Sequence, residues 1–565
     1  MELVPENMEA QAEKARDVGH PRRASPILLF LALFLIYNLT LESPLTSDCM
    51  PNMYLPLSIL RHGSISLSFF PELYAAGRPY YLVPFQGGLH SIFGIGAALF
   101  AVPFYLPLAF GNSSPSFITL IYLAKLVASF YAALSAALIY AALRRITSRE
   151  WALTVALLYG LATPTFCTSS QALWQHPPSQ FLLSLTIYFL VRGREERRFT
   201  ALSGLPLGFA VLVRSTNMVF ILPLLLYVAW EKRSELPGFV LCLLPAALAT
   251  GLYNHVAYGA FYRFPVMAPK YLLPVEEFNM YNESGGYWRT SLPVGFLGNL
   301  VSPSRGLFFI SPVLMLVLPG AWFLYRNRKK DGRAILLTCF LLAFLAQLLL
   351  VSKKTDWTGG LSFGNRLLVD TLPFLVFLLV PFLECLPRVP GGWKKWSFYG
   401  ILGFLVLISV LLQIVGIFSY DRGSWECFHQ PDLPMWSLGK SQPLFYLLRF
   451  DLVTPPIIKH LKNDPVKIRY FEVVVEGNDL LLRFRLSELS FLRWYVVPPE
   501  GERIHLFKFY GLKGMNEILV TEEDLASVAG GYDSRYLWEL IAGRGAMEVE
   551  ASDPLTEVKN IYRLR

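Results

Sequence analysis

Apolar runs of about 17 to 25 residues, the length that a lipid bilayer demands of a helix, recur along the first 420 positions of the chain. Backbone amides cannot stay unpaired in hydrocarbon, so such runs must form helices that satisfy their own hydrogen bonds. Only 16% of the 565 residues are charged and 54% are hydrophobic, whereas a soluble domain carries about 25% charged residues. The pattern predicts an all-α polytopic membrane protein. Eleven segments qualify as spans: 26–42, 116–143, 150–166, 178–191, 199–213, 215–230, 236–257, 307–325, 334–351, 366–385 and 397–419.

The net charge of +9, from 50 basic and 41 acidic residues, is no nucleic-acid signal. Much of it sits in short loops, where basic residues mark the cytoplasmic side. The loops 144–149, 192–198, 231–233, 326–330 and 394–395 fall inside on that rule. Segment 90–110 is apolar enough to span, yet a span there would invert every later loop. It is expected to be a re-entrant or surface-lying helix that returns to the outer face. Its Gly94, Gly96, Pro103 and Pro107 suit a broken helix. The N-terminus is then inside and the C-terminus outside. Arg22 and Arg23 precede the first run and no small-x-small cleavage site follows it. That run is expected to be a retained anchor.

This arrangement predicts a cytoplasmic tail over 1–24 and a transmembrane domain over 25–420. Large outer loops are expected at 43–115 and 258–306, and shorter ones at 167–177 and 352–365. A connector follows over 421–464, then a small soluble outer domain over 465–565. In that domain, segments 466–475 and 480–486 flank Glu476, Gly477, Asn478 and Asp479, which predicts a hairpin. Segment 504–509 supplies another strand, while 517–525 and 536–541 look helical, giving an α/β cap. No long internal repeat and no low-complexity tract occurs. The six cysteines lack metal spacing. Cys242, Cys339 and Cys385 lie in apolar runs as packing residues; Cys49, Cys167 and Cys427 fall outside, where a disulfide between two of them is an open alternative.

Ionisable groups at a membrane edge are costly, so each is a functional candidate. Asp48 follows the first run at once. It reads either as a solvated loop carboxylate or as a base facing a lipid-borne substrate. Lys125 lies inside the second run, where it needs an anion or a cavity unless it snorkels. Trp174, Gln175 and His176 occupy a short outer loop; Trp174 alone suits a membrane-belt aromatic, while the other two suit hydrogen bonds to a sugar or phosphate. Arg214, Arg305 and Arg366 all fall near the outer surface. Each is either structural or a clamp for phosphate, whose oxygens match the planar guanidinium fork. Arg366 and Asp370 are four apart and fit an ion pair on one helical face. Four cations and a carboxylate gathered at one leaflet would make a site for a lipid-linked phosphate and an acidic base. No Walker loop, HExxH or CxxC pattern occurs, so a nucleotide or zinc site is unsupported.

Several strings together resemble the C-type membrane glycosyltransferase superfamily (GT-C), in particular bacterial relatives of the dolichyl-phosphate-mannose protein mannosyltransferases. They are Ser47–Asp48 with the segment 54–60, Ala172–Leu173–Trp174–Gln175–His176, Val211–Leu212–Val213–Arg214–Ser215–Thr216–Asn217, Ser302–Pro303–Ser304–Arg305–Gly306–Leu307, and Gly360–Leu361–Ser362–Phe363–Gly364–Asn365–Arg366. The resemblance covers roughly residues 25–420. It implies that the acidic residue of the first outer loop, Asp48, is the catalytic base, and that Lys125 contacts a donor phosphate. It also implies membrane-edge helices in that loop. Cys49 stands where many such relatives carry a second acid, which weakens the case for a divalent metal. The segment 465–565 matches no known module of that superfamily.

The implied reaction is inverting transfer of a sugar from a polyprenyl-phosphate donor to a hydroxyl or amine of a glycan, lipid or protein acceptor. It would occur on the outer side of a bacterial inner or plasma membrane, with no nucleotide; a divalent metal stays an open alternative. Asp48 is the expected base, and Lys125, Gln175, His176, Arg214, Arg305 and Arg366 the expected donor-phosphate and substrate ligands. A transporter or flippase for a lipid-linked sugar shares the greasy groove and cations, but should show structural repeats. A non-catalytic scaffold for the outer domain is the third alternative.

Overall fold

The computed structural model describes residues 24–43, 46–74, 78–111, 115–273, 287–386, 392–421, 423–429, 433–449, 453 and 455. Towards the C-terminus it describes the strand segments 468–476, 479–486, 490–497, 504–511, 514–520, 537–544 and 557–563. All eleven expected spans coincide with helical segments. Five of the helices are long and apolar enough to cross a membrane: Phe117–Leu143, Arg233–Tyr258, Ala334–Lys353, Arg366–Leu383 and Lys395–Phe418. Others are shorter, such as Pro26–Leu39 and Ser215–Glu231. The segment 307–325 is broken: a short helix Leu307–Ile310, a 3-10 stretch Pro312–Leu316, then the helix Val317–Asn327.

Lipid exposure is written on single faces. Along Leu236–Tyr258, Leu241, Leu244, Leu248 and Leu252 follow helical spacing and are 65%, 47%, 65% and 56% exposed. Ile401, Phe404 and Leu407 repeat the pattern on Trp393–Phe418. Apolar stripes of that length would be a liability in water and are the normal surface in a bilayer. Inside, small residues allow close approach. Ala124, Ala128, Ala132 and Ala136 of Phe117–Leu143 are buried on the side that packs against His176–Arg192. Ser135 Oγ bonds to Tyr159 Oη at 2.6 Å and to Ser184 Oγ at 2.9 Å, satisfying three polar groups between helices.

The segment 43–115, the first expected outer loop, carries elements that line the site. A hairpin pairs Leu82–Phe85 with Gly88–Ser91, and the helix Gly96–Ala109 follows. It has 14 residues, with Pro103 and Pro107 inside, and is shorter than the five long apolar helices. Gly94 and Gly96 serve close packing. A Cβ on Gly94 would lie 2.6 Å from Leu212 O, and one on Gly96 2.6 Å from Val213 Cα. The hairpin-helix unit therefore presses directly on the corner that leads to Arg214.

The C-terminal segments form two antiparallel sheets. One orders Ile468–Glu476, Asp479–Leu486 and Gly514–Val520; the other orders Ile504–Gly511, Ser490–Val497, Leu537–Arg544 and Glu557–Arg563. The expected hairpin forms, with Val473 opposite Leu482. The two expected helices do not. Residues 517–520 and 537–541 lie in strands, while 521–525 and 536 fall outside the described residues. Among the described residues this region is strand, not α/β. Cross-strand partners override local helix propensity there. Ile518 faces Leu482, and Glu517 Oε1 accepts from Arg483 Nε at 2.8 Å.

Candidate active site

Asp48 sits in the 3-10 turn Ser47–Cys49, which runs straight into the helix Met50–His62. Tyr80 Oη donates to Asp48 Oδ1, and Arg366 Nη1 donates to Asp48 Oδ2 at 2.5 Å. Arg366 is fixed in turn. Its Nε donates to Gly359 O at 2.5 Å, and its guanidinium lies 4.6 Å from the centre of the Trp174 ring. Gly359 and Gly360, at φ 82 and φ 65, let the chain fold back beneath that side chain. Burial pushes the Asp48 carboxyl up. The Arg366 charge, the bonds from Tyr80 and Arg366, and Lys354 outweigh it and hold the group below its ordinary value. Burial and the Asp48 charge push the Tyr80 phenol well above its ordinary value, so it remains a donor.

A second knot faces the first. Asp370 Oδ2 bonds to His176 Nδ1 at 3.0 Å and accepts from Arg214 Nη1. Arg214 Nη1 also lies 3.2 Å from His176 Nδ1. A carboxylate can only accept, so Nδ1 carries the proton and Arg214 donates to Asp370. The neutral ring then keeps Nε2 as an acceptor. Gln175 Nε2 donates to Val213 O at 2.8 Å, and Asn217 Nδ2 donates to Ser179 Oγ at 2.8 Å. These bonds fix the corner between the helix Gly204–Val213 and the 3-10 stretch Ser215–Phe220, where Arg214 stands in extended backbone.

Between the knots lies a cavity of about 360 Å³, within the usual size of small-molecule sites. Its polar wall is Asp48, Gln175, His176, Arg214, Lys354 and Arg366. Its apolar wall includes Phe93, Met218, Val266, Met267 and Leu350, with Tyr287 and Trp288 at one side. The sequence reading missed Lys354 and Tyr80. Lys354 caps the C-terminal end of Ala334–Lys353, a favourable place for a cation. Its Nζ lies 3.8 Å from Asp356 Oδ2 and 5.5 Å from the centre of the Tyr287 ring. Arg214 and Arg366 have carboxylates in direct contact, so Lys354 is the least committed of the three cations. Burial lowers its pKa; Asp356 opposes the shift, and Arg366 and Arg214 add to it. The one signal in the sequence is a lysine at the start of the expected outer loop 352–365.

Two expected ligands lie elsewhere. Lys125 is buried, and its Nζ donates to Thr40 Oγ1 at 2.8 Å, to Gln171 Oε1 at 2.7 Å and to Glu42 O. It ties the chain before Asp48 to the chain before Trp174, and it is not part of the cavity wall. Arg305 is buried against Glu426, with Nη2 2.7 Å from Oε1, and Trp425 lies beside its guanidinium. Protein partners occupy both side chains because the fold encloses them. The expected Arg366–Asp370 pair does not form either. Residues Arg366–Thr371 are a 3-10 helix, whose three residues per turn place i+4 about a third of a turn away from i.

Cys49 and Cys167 are free and buried, so they form no disulfide with each other; the Cys427 side chain lies outside the described residues. Among the described residues no three His, Cys, Asp or Glu side chains converge on one point. Asp48 is flanked by an arginine and a phenol, both of which donate to its carboxylate.

The fold and cavity define a polytopic helical protein with a carboxylate, three cations and a histidine gathered around one pocket. Residues 118–251 match the family model of the dolichyl-phosphate-mannose-protein mannosyltransferases, so that segment is similar to them. No curated protein matches the sequence at a significant level. Among solved structures, the chain is similar to the oligosaccharyltransferase of Archaeoglobus fulgidus tethered to an acceptor peptide, with 13% identity and a TM-score of 0.46. The match covers 77% of this chain and 60% of that one. The apo form of that enzyme gives 13% identity, the same coverage and a TM-score of 0.44. The same archaeon's oligosaccharyltransferase AglB, bound to an inhibitory peptide and a dolichol-phosphate, gives 12% identity and a TM-score of 0.36 over 76% of this chain and 60% of that one. The chain thus spans about three fifths of the length of these enzymes.

Proposed function

We propose that this chain is a membrane glycosyltransferase that moves a sugar from a polyprenyl-phosphate donor to an acceptor hydroxyl or amine on the outer face. The observation that carries this reading is the single cavity in which Asp48 meets Arg214, Lys354 and Arg366 beside an apolar wall. A sugar linked through phosphate to a lipid offers a matching set of groups. The lipid suits the wall, the phosphate suits the cations, and the anomeric carbon needs a base nearby. The family match over residues 118–251 supports the same class of donor.

In this reading the acceptor oxygen or nitrogen attacks the anomeric carbon from the side opposite the phosphate. The bond from that carbon to the phosphate oxygen breaks, and its electron pair stays with the departing polyprenyl phosphate. The acceptor proton goes to Asp48, and the anomeric configuration inverts. Lys354, Arg214 and Arg366 hold the charge that develops on phosphate. Lys354 takes the part that the resemblance implies for Lys125. Positioned general-base help of this kind contributes roughly 10²–10⁴-fold. Each Asp48 oxygen accepts one bond, from Tyr80 or Arg366, and keeps a second lone pair that can receive the acceptor proton.

The test is to incubate purified protein with radiolabelled polyprenyl-phosphate sugars and follow donor consumption, alongside Asp48→Asn. Consumption by the parent and its loss in a folded Asp48→Asn variant would support the reading. Full activity in that variant would remove Asp48 as base. Transbilayer movement of an intact donor without bond cleavage would favour a flippase.

A further inference from the structure

The chain beyond the last long helix reaches back to the loop that presents Arg366. Gln442 is buried; its Oε1 accepts from Gly364 N at 3.0 Å and its Nε2 donates to Ser362 O at 3.1 Å. Glu426 Oε1 accepts from Arg305 Nη2 at 2.7 Å and from Gln442 Nε2 at 3.1 Å. Arg305 Nη1 donates to Ser362 O, and to Gly364 O at 3.3 Å. Two carbonyls and an amide of one short stretch are thus held by side chains from outside it. Gly364 sits at φ 65, with Ile310 Cγ1 2.8 Å from where a Cβ would be, so the stretch packs closely at a place only glycine fits. Directly after it, Asn365 Oδ1 accepts from Leu367 N at 3.0 Å and Leu368 N at 3.3 Å, which starts the helical turn that carries Arg366. Phe363 packs with its ring centre 6.0 Å from that of Tyr420 and 6.4 Å from that of Tyr446.

We propose that Arg305, Glu426 and Gln442 are positioning residues for Arg366, so that the connector between the last long helix and the C-terminal sheets is part of the active-site scaffold. None of the three lines the cavity. They act through the 362–364 backbone, which sets where the Arg366 side chain begins and hence whether it reaches Asp48. The kinetic consequence rests on the transferase reading above; the structural coupling does not. An arginine that must meet developing charge is sensitive to small displacements, since a shift of about 1 Å can cost ~10²-fold in rate.

The experiment uses the full chain with Gln442→Ala, and Glu426→Gln as a milder variant that keeps an acceptor for Arg305. In the transfer assay, Gln442→Ala should lower kcat about tenfold or more with a much smaller change in donor KM. A second readout needs no ligand: thermal unfolding of Gln442→Ala, Asp48→Asn and the double variant. The double variant should melt about as low as the worse single one, because a loosened loop has already lost the Arg366–Asp48 bond. Additive melting shifts would overturn the proposal, as would unchanged kcat in a Gln442→Ala protein. If the parent consumes no donor, the transferase reading fails, and the melting cycle alone decides the positioning role.

Discussion

Arg366 Nη1 lies 2.5 Å from Asp48 Oδ2 although 318 residues separate them in the chain. The contact closes the cavity at the point where the proposed base meets the proposed phosphate clamp. It also has a consequence for pH. A carboxylate held below its ordinary value stays ionised through neutral pH. Its share of stability is present above the unfolded-state value and is lost as pH falls through the depressed folded value.

Arg366→Ala should therefore move the acidic limb of kcat/KM upward. Burial, which raises a carboxyl, would then be opposed only by the Tyr80 bond and Lys354. With Arg366 present, that limb is expected below the ordinary carboxylate value of 3.8. A pH profile of both proteins checks this; an identical acidic limb would sever the link between the two residues.

Lys354→Gln should raise donor KM more than it lowers kcat, because it removes the least committed cation of the wall. In the parent, donor binding should weaken as pH rises through a value below the lysine's ordinary 10.5. Burial and the neighbouring arginines favour its neutral form, and a bound phosphate favours the charged one. Binding of a polyprenyl phosphate measured across pH tests both points; pH-independent binding up to the ordinary lysine value would contradict them.

Lys125→Met should cost stability and leave donor KM unchanged. The variant removes the buried donor shared by Thr40 Oγ1, Glu42 O and Gln171 Oε1, at a cost of about 1–3 kcal/mol. A melting curve and a donor titration separate the effects. A large rise in KM in a fully stable variant would return Lys125 to the substrate.

Arg305→Leu should destabilise the protein by roughly 3–5 kcal/mol, since it leaves the buried Glu426 carboxylate without its partner. Pairing it with Glu426→Leu should recover much of that loss, as apolar replacement of a whole buried pair often does. Denaturant unfolding in detergent gives the comparison.

The C-terminal sheets show why some of this chain was not legible. The hairpin 468–486 announced itself through alternating residues around a turn. The strands Gly514–Val520 and Leu537–Arg544 carried no such local signature, and their partners are distant in the chain. Likewise Gln175, His176 and Arg214 were singled out as polar residues in short breaks between apolar runs, and the structure brings them to one wall. Tyr80 and Lys354 resembled ordinary loop residues.

By itself, the sequence determined where the long apolar helices lie and which polar groups sit near their ends, because bilayer length and hydrogen-bond demand act locally along the chain. Only the tertiary structure decided which of those groups share a cavity. Lys125, Arg305 and Lys354 are all cations at or near helix ends. Burial against Gln171 and Glu426 commits the first two to the scaffold, while Lys354 is left facing the pocket. That distinction depends on which neighbours each side chain meets, and contacts between remote segments create those neighbours.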